Sequence, residues 1–209
     1  MTFPFMFHPR TLALALSLLA SPALLLGQTA AERTPVQTVQ GFCDALISAM
    51  KKGPALGFAG RKQMLDPEIR RALDLPLMTR LIVGPQWKGL KADEQRRLVE
   101  AFSDYSIAVY ASRFKDYGGE RFSVAPAASQ RPNGDVIVST TLVPGSGDTV
   151  QLDYLMRDGA VGWQVIDVFL SGTISELAAR RSEYSAIFRT GGAAALVDLL
   201  MKKTSELSG

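Results

Sequence analysis

Histidine and cysteine are almost absent from this sequence. The 209 residues include one histidine and one cysteine, and the histidine, His8, lies in an N-terminal segment that we expect to be removed. A mature chain without histidine excludes a Ser-His-Asp triad, a Cys-His pair and a histidine-ligated metal. The single thiol, Cys43, can form neither an internal disulfide nor a zinc cluster of thiolates. We therefore expect no metal site and no cofactor, and no motif in the sequence demands a catalytic reaction.

A strong excess of charge of either sign is also missing. The chain carries 23 basic and 20 acidic residues, and the predicted leader holds only one of the basic residues, Arg10. Nucleic-acid-binding domains normally present a strongly basic face. The near-neutral balance therefore argues against a nucleic-acid partner.

The N-terminus has the pattern of a secretory signal peptide. Residues 11–26 form an uncharged run rich in alanine and leucine, and Thr29 and Ala31 occupy the small-residue positions of a cleavage site. We predict that residues 1–31 are a cleaved signal peptide and that residues 32–209 form one domain outside the cytoplasm. An uncleaved membrane anchor is the alternative, because the apolar run falls just short of a comfortable span of the bilayer.

Helical patterns dominate the first half of the chain and its C-terminal end. The spacing of apolar residues, together with caps such as Thr34 before Pro35, predicts five to six helices. Glycine and proline at residues 52–59 predict a flexible link after the first helix, and Asp66 is the predicted cap of the second. The predicted helices cover residues 34–51, two short segments between 61 and 83, and residues 92–114, 174–189 and 192–207.

Strand patterns fill the region between the helices. Four β-prone runs cover residues 121–128, 135–143, 149–157 and 161–170. The turns between them are short and rich in glycine, so the runs can only be antiparallel neighbours. In the third run, Leu152, Tyr154 and Met156 alternate with polar residues, which predicts one apolar face. The predicted fold class is α+β, a curved four-stranded antiparallel meander against five to six helices, with either a solid core or an apolar cavity between sheet and helices.

Near the C-terminus, a strand passes through a glycine corner directly into a helix. Apolar residues from Trp163 onward predict a strand covered on both faces, and Gly172 relieves the backbone where the chain turns toward the helix. Asp153 and Asp167 could form a pair of catalytic carboxylates. We favour a solvated Asp153 and an Asp167 that meets an arginine or caps the corner.

Two stretches of the sequence resemble the periplasmic toluene-tolerance (MlaC) family of lipid carriers. The matching residues of the first stretch are Gly84, Trp87, Glu94, Gln95, Phe102 and Tyr110. Those of the second are Trp163, Asp167, Val168, Gly172, Arg181, Ser182 and Tyr184. The resemblance implies an α+β domain with an apolar cavity between sheet and helices. It also implies a non-catalytic shuttle that carries lipid between an inner-membrane transporter and the outer membrane, where a lipoprotein complex is a further candidate partner.

The segment at residues 172–184 departs from the phospholipid carriers by about one residue between its glycine and its arginine. In this respect it is more similar to the branch associated with hopanoid biosynthesis, HpnM. The resemblance therefore implies a phospholipid or a hopanoid-type lipid as ligand. Within the same segment, Arg180 and Arg181 could bind a lipid phosphate at a cavity mouth, although we favour a solvated helix face with local ion pairs.

The apolar sheet face and the helices beside it are the predicted walls of a lipid pocket. The predicted lipid-binding residues are Leu77, Leu81, Tyr105, Val109, Val138, Leu152, Tyr154 and Met156. The residues predicted to hold the corner between sheet and helix are Trp163, Asp167, Gly172 and Arg181. The alternative function is a solid-cored periplasmic accessory or scaffold of a lipid-transport assembly that holds no lipid itself. A third possibility, an enzyme with a buried aspartate, is disfavoured by the missing histidine.

Overall fold

The computed structural model describes residues 33–208, which lie in one compact unit. The predicted signal peptide, residues 1–31, lies outside the described residues. The α+β class is confirmed, although the described range has four α-helices, where five to six were predicted, and six strands, where four were predicted. The helices are α1 (Pro35–Ala72), α2 (Leu75–Val83), a 3-10 helix (Gly84–Gly89), α3 (Ala92–Arg113) and α4 (Glu176–Glu206). The strands are β1 (Arg121–Val124), β2 (Ser129–Gln130), β3 (Val136–Val143), β4 (Val150–Gly159), β5 (Gly162–Leu170) and β6 (Ile174–Ser175).

Helix α1 begins with a capping box and continues through the predicted link. The hydroxyl oxygen of Thr34 accepts a hydrogen bond from the backbone N–H of Gln37, and the side-chain oxygen of Gln37 accepts one from the N–H of Thr34. The flexible link predicted at residues 52–59 is wrong in extent. Non-helical backbone occurs there at Gly57, with a φ of 60°, and the chain is helical on both sides of this kink.

The cap predicted at Asp66 is also wrong. Asp66 and Pro67 lie inside α1, and the carboxylate of Asp66 accepts a hydrogen bond from Arg70 one turn later. The helix continues past this signal because its apolar side is buried in the core, and tertiary packing overrides a local cap. The carboxylate that does cap a helix here is Asp74, which accepts from the backbone N–H of Leu77 at 2.9 Å at the start of α2.

The sheet is antiparallel throughout, with the strand order β1-β3-β4-β5-β6 and with β2 paired to the same edge of β3 as β1. The first predicted strand is therefore divided into β1 and β2. The sixth strand forms because the chain reverses at Ser171 and Gly172, which both have a positive φ, and returns alongside β5. The predicted meander corresponds to β3, β4 and β5, which are joined by the short turns that the sequence indicated.

Helix α4 contains both of the helices predicted at the C-terminus. It bends at Gly192, which has a φ of 65°, but the assigned helix continues on both sides of that residue. It starts at Glu176, two residues later than predicted, because Ile174 belongs to β6. Ser175 caps it by accepting a hydrogen bond from the N–H of Ala178 at 2.9 Å.

The helices pack against the sheet and against one another. Helices α1, α2 and α4 contact the strands, and α3 packs across these three helices. The buried side chain of Arg61 joins α1 to α3, since its Nε donates to the carbonyl oxygen of Ala111 at 2.8 Å. Among residues 33–208, we find no helix with both the length and the apolar character needed to cross a bilayer.

Candidate functional site

A cavity of about 710 Å³ lies between α3 and one end of the sheet. Its volume falls within the range of about 300–1,000 Å³ that is common for sites of small organic ligands. The α3 side of the wall consists of Phe102, Tyr105, Ser106, Val109, Tyr110 and Arg113. The opposite side consists of sheet residues Leu142, Val150, Leu152, Tyr154, Val168 and Leu170. Most of these side chains are apolar, and the cavity is partly open to solvent.

The same sheet face is filled at one end and open at the other. Strand register places Val138 opposite Tyr154 and Thr140 opposite Leu152, so these side chains share a face. At the filled end, four side chains are almost completely inaccessible: Val136, Val138, Met156 and Val165. At the open end, Leu142, Val150, Leu152 and Leu170 are half-buried and line the cavity. A solid core and an apolar cavity therefore occur side by side on one sheet.

Aromatic side chains hold the cavity wall at the junction of α1, α3 and the sheet. The ring of Phe42 packs edge-on against the rings of Tyr110 and Tyr154, with distances between ring centres of 5.3 and 6.1 Å. Tyr110 also stacks on Phe114, one turn along, at 5.9 Å. Burial raises the pKa of Tyr110 to about 12 and also raises the pKa of Tyr154. Both phenols therefore stay protonated near neutral pH, and neither is suited to act as a general base.

Charged side chains also form part of the cavity lining. They comprise three cations and three carboxylates: Arg113, Lys115, Arg180, Asp116, Glu120 and Glu176. The side chain of Arg180 is 21% exposed. Its Nη1 donates a hydrogen bond to the hydroxyl of Tyr105 at 3.2 Å, and its guanidinium lies 5.4 Å from the centre of the Tyr105 ring. Arg180 is thus fixed by α3 at the wall of the cavity, which a solvated helix face would not require.

Four of the eight residues predicted to bind lipid line the cavity: Tyr105, Val109, Leu152 and Tyr154. Leu77 and Leu81 of α2 do not, because their places are taken by Met78 and Ile82, one residue further along the helix. Helix α2 is apolar nearly all round, so its sequence does not determine which side faces the cavity. Val138 and Met156 are on the correct sheet face but at the filled end, where neighbouring side chains bury them completely.

The corner between β5 and α4 is held by Asp167. Its Oδ1 accepts hydrogen bonds from the N–H of Val168 at 2.7 Å and of Leu177 at 3.0 Å, and its Oδ2 accepts one from the hydroxyl of Ser175 at 2.6 Å. The prediction of a solvated Asp153 is wrong, because Asp153 is buried and its Oδ2 accepts a hydrogen bond from the side-chain nitrogen of Gln151 at 3.0 Å. The carboxylate of Asp167 is therefore occupied by the start of α4.

The other predicted corner residues have different positions. Gly172 has a φ of 73°, which favours glycine, and lies beside the Asp153 side chain in the turn between β5 and β6. Trp163 is at the far end of β5, where it pairs with Asp158 and packs against the core. Arg181 is exposed and does not lie at this corner, because its guanidinium lies against Gly84 at the end of α2.

Several residues of the cavity lining had no direct signal in the sequence. The cavity is lined by three residues that were not predicted to bind a ligand, Met78, Ile82 and Phe114. It is also lined by Arg180, for which a solvated position with local ion pairs was favoured. The spacing of Tyr110 and Phe114, four residues apart on one helix face, is a signal that could have identified an aromatic wall. No comparable signal marks Arg180 over Arg181, since adjacent helical positions differ only in their direction.

The fold and the cavity together define a class of protein, an α+β domain whose sheet and helices enclose a mostly apolar space with charged side chains on part of its wall. The family model described as "MlaC protein" matches residues 40–202, which is most of the chain. The chain belongs to the MlaC family. The family model does not distinguish the HpnM branch, which stays a prediction.

A solved structure has the same fold. It is a phospholipid-binding protein from Ralstonia solanacearum in complex with a phospholipid, with 22% sequence identity and a TM-score of 0.73. The match covers 85% of this chain and 100% of that chain. At this identity the likeness establishes the fold. No curated protein matches the sequence.

Proposed function

We propose that this protein is a periplasmic, non-catalytic carrier that holds a phospholipid with its acyl chains in the cavity between α3 and the sheet. The cavity itself, apolar over most of its wall and charged at Arg180 and its neighbours, is the observation that carries the proposal. Membership of the MlaC family supports it, as does the phospholipid in the R. solanacearum protein of the same fold.

Transfer of acyl chains from water into such a cavity is strongly favourable. Each buried methylene contributes about 0.8 kcal/mol, so ten methylenes supply about 8 kcal/mol toward holding the lipid. No covalent step is needed for this function. The buried phenols of Tyr110 and Tyr154 stay neutral because their pKa values are raised, so they add no charge to the wall that would contact the acyl chains. Release then requires docking to a partner that opens the cavity or offers a competing apolar surface.

The proposed route runs between an inner-membrane lipid transporter and the outer membrane, where a lipoprotein complex is the candidate second partner. A hopanoid-type lipid is the alternative ligand, because the segment at residues 172–184 resembles the HpnM branch. A polycyclic lipid and an acyl chain are both apolar, so the cavity wall alone accepts either class. The mass of a co-purifying lipid separates the two.

Introducing a charged side chain into the cavity tests whether the protein holds lipid there. Leu152 lies on the cavity wall, and replacing it by Asp (Leu152→Asp) would put a carboxylate where the acyl chains are proposed to lie. The matched control is Val161→Asp, because Val161 is 77% exposed in the turn between β4 and β5. Native mass spectrometry of the purified mature protein is expected to find lipid on the wild type and on Val161→Asp, but not on Leu152→Asp.

Circular dichroism and thermal unfolding must first establish that Leu152→Asp is folded. Undiminished lipid on a folded Leu152→Asp variant would contradict the proposed cavity site. A wild-type protein that purifies without lipid and takes none from vesicles would favour the scaffold alternative instead.

A further inference from the structure

The position of Arg180 on the cavity wall suggests a function beyond the burial of acyl chains. Its side chain is 21% exposed, whereas the adjacent Arg181 is exposed on another side of α4. Tyr105, which is 7% exposed and lines the same cavity, accepts a hydrogen bond from Nη1 of Arg180 at 3.2 Å. The guanidinium is therefore held in one place between α3 and α4 and does not sample the solvent as a free surface arginine would.

The hydrogen-bonding capacity of this guanidinium is largely unused by its protein neighbours. An arginine side chain has five N–H donors. Its contacts with Glu176 and Glu183 are 3.9 and 3.6 Å long, beyond hydrogen-bond length. Within the part of the chain that the structure describes, it donates a hydrogen bond to the hydroxyl of Tyr105, and the hydroxyl of Tyr184 is a second nearby acceptor, so most of its five donors remain for another group. The two carboxylates compensate part of its charge while leaving donors for a further acceptor.

We propose that Arg180 binds the phosphate group of the cargo lipid, and that the carrier selects phosphate-bearing lipids over neutral ones with the same chains. This inference rests on the proposed carrier function. The planar fork of a guanidinium matches two phosphate oxygens, and such charge-assisted bonds are stronger than neutral ones. Glu176, which shares the cavity wall with Arg180, is placed to meet the ammonium group of a zwitterionic headgroup.

A competition between two lipids tests the selectivity. Delipidated protein is mixed with vesicles that contain dipalmitoyl phosphatidylcholine and dipalmitoyl glycerol in equal amounts, and the lipids bound to the re-isolated protein are measured by mass spectrometry. The two lipids share their acyl chains and differ in the headgroup. The quantity compared between variants is the bound ratio of phosphatidylcholine to diglyceride, because differences in vesicle release cancel in that comparison.

Three variants separate phosphate binding from structural roles. Arg180→Gln is expected to lower the bound ratio roughly tenfold, which corresponds to about 1.4 kcal/mol. Arg181→Gln, the matched control one residue away, is expected to leave the ratio unchanged. Arg180→Lys retains the cation without the planar fork and is expected to give an intermediate ratio, which keeps the test available if Arg180→Gln does not fold.

The outcomes distinguish this inference from the proposed function. If Arg180→Gln and Arg180→Lys lower the binding of both lipids equally, or leave the ratio at the wild-type value, Arg180 does not bind phosphate and the carrier function stands. A wild type that binds neither lipid overturns the proposed function, and the inference with it.

Discussion

The carboxylate of Asp167, on β5, accepts a hydrogen bond from the backbone N–H of Leu177, in the first turn of α4, at 3.0 Å. The hydroxyl of Ser175 donates to the other oxygen of the same carboxylate. Leu177 and Arg180 both line the cavity. By holding the first turn of α4, Asp167 therefore fixes the position of the part of the cavity wall that α4 forms.

Replacement of this carboxylate by alanine is therefore expected to be costly. We expect Asp167→Ala to lower the free energy of unfolding by about 2–3 kcal/mol, since hydrogen bonds to a charged group contribute about 1.5–3 kcal/mol and the orphaned N–H groups stay near the core. Urea denaturation provides the measurement. The control Asp158→Ala, at the exposed end of β4, should change stability by less than about 0.5 kcal/mol. Equal effects of the two substitutions would show that the corner does not depend on Asp167.

Two glycines within α1 are expected to respond to alanine in opposite directions. A Cβ on Gly53 would lie 1.9 Å from the carbonyl oxygen of Lys115, at the edge of the cavity, so Gly53→Ala must displace backbone. The nearest atom to a Cβ on Gly41 is the flexible end of Arg33 at 3.4 Å. Gly41→Ala should therefore stabilise the helix by about 0.5–1 kcal/mol, while Gly53→Ala destabilises the protein. Thermal unfolding of both variants is the measurement, and stabilisation by Gly53→Ala would be inconsistent with the close approach of α1 to Lys115.

The pair formed by Asp135 and Arg157 should make stability depend on pH in the acid range. Arg157 donates to both carboxylate oxygens, at 2.7 and 2.8 Å, and these bonds hold the pKa of Asp135 below its usual value. The stabilisation is thus present above the unfolded pKa of the carboxyl and is lost as the pH falls through the lowered folded value. We expect Asp135→Asn to cost about 1.5–3 kcal/mol near neutral pH and progressively less below about pH 4.

Denaturation of wild type and Asp135→Asn at several pH values measures this difference. Asp93→Asn is the control, because the ion pair of Asp93 with Arg97 is exposed and should contribute little at any pH. A penalty for Asp135→Asn that stays constant down to about pH 3 would show that the pair does not titrate in this way.

The thiol of Cys43 should be inert in the folded protein. It is completely inaccessible on α1, and burial raises its pKa to about 12. The thiolate is the reactive form, so iodoacetamide near pH 8 is expected to leave the native protein unmodified and to alkylate Cys43 fully in concentrated guanidinium chloride. Mass spectrometry distinguishes the alkylated protein from the unmodified protein. Rapid alkylation without denaturant would mean that α1 separates from the sheet in the native state.

Local signals in the sequence identified the order of elements well. The glycine turns placed the strands β3, β4 and β5, because a positive φ is inexpensive only for glycine. Thr34 with Pro35 fixed the start of α1, since the cap forms between residues three apart. The same local reasoning failed at Asp66, where packing keeps the helix going through a residue that often caps one. At Gly57 and Gly192 the backbone does leave the helical conformation, as glycine indicated, but the chain is helical again on the far side of each kink.

The candidate site was predictable in part. Alternation along β4 identified the face that carries Leu152 and Tyr154, because a strand has a strict period of two. It did not reveal that Met156 on the same face lies under a filled core while Leu152 lies at a cavity. The distance from the sheet to α3 decides this, and that distance depends on helices far away in the chain.

The sequence by itself determined the α+β class, the apolar face of the sheet, the scarcity of histidine and cysteine and the family resemblance, because each depends on residue type or on short periodic spacing. Only the tertiary structure decided that α2 turns Met78 and Ile82 to the cavity and that Arg180, not Arg181, lies on its wall. The physical reason is that adjacent helical residues point about 100° apart. Which of them meets a cavity depends on the rotation of the whole helix against its neighbours.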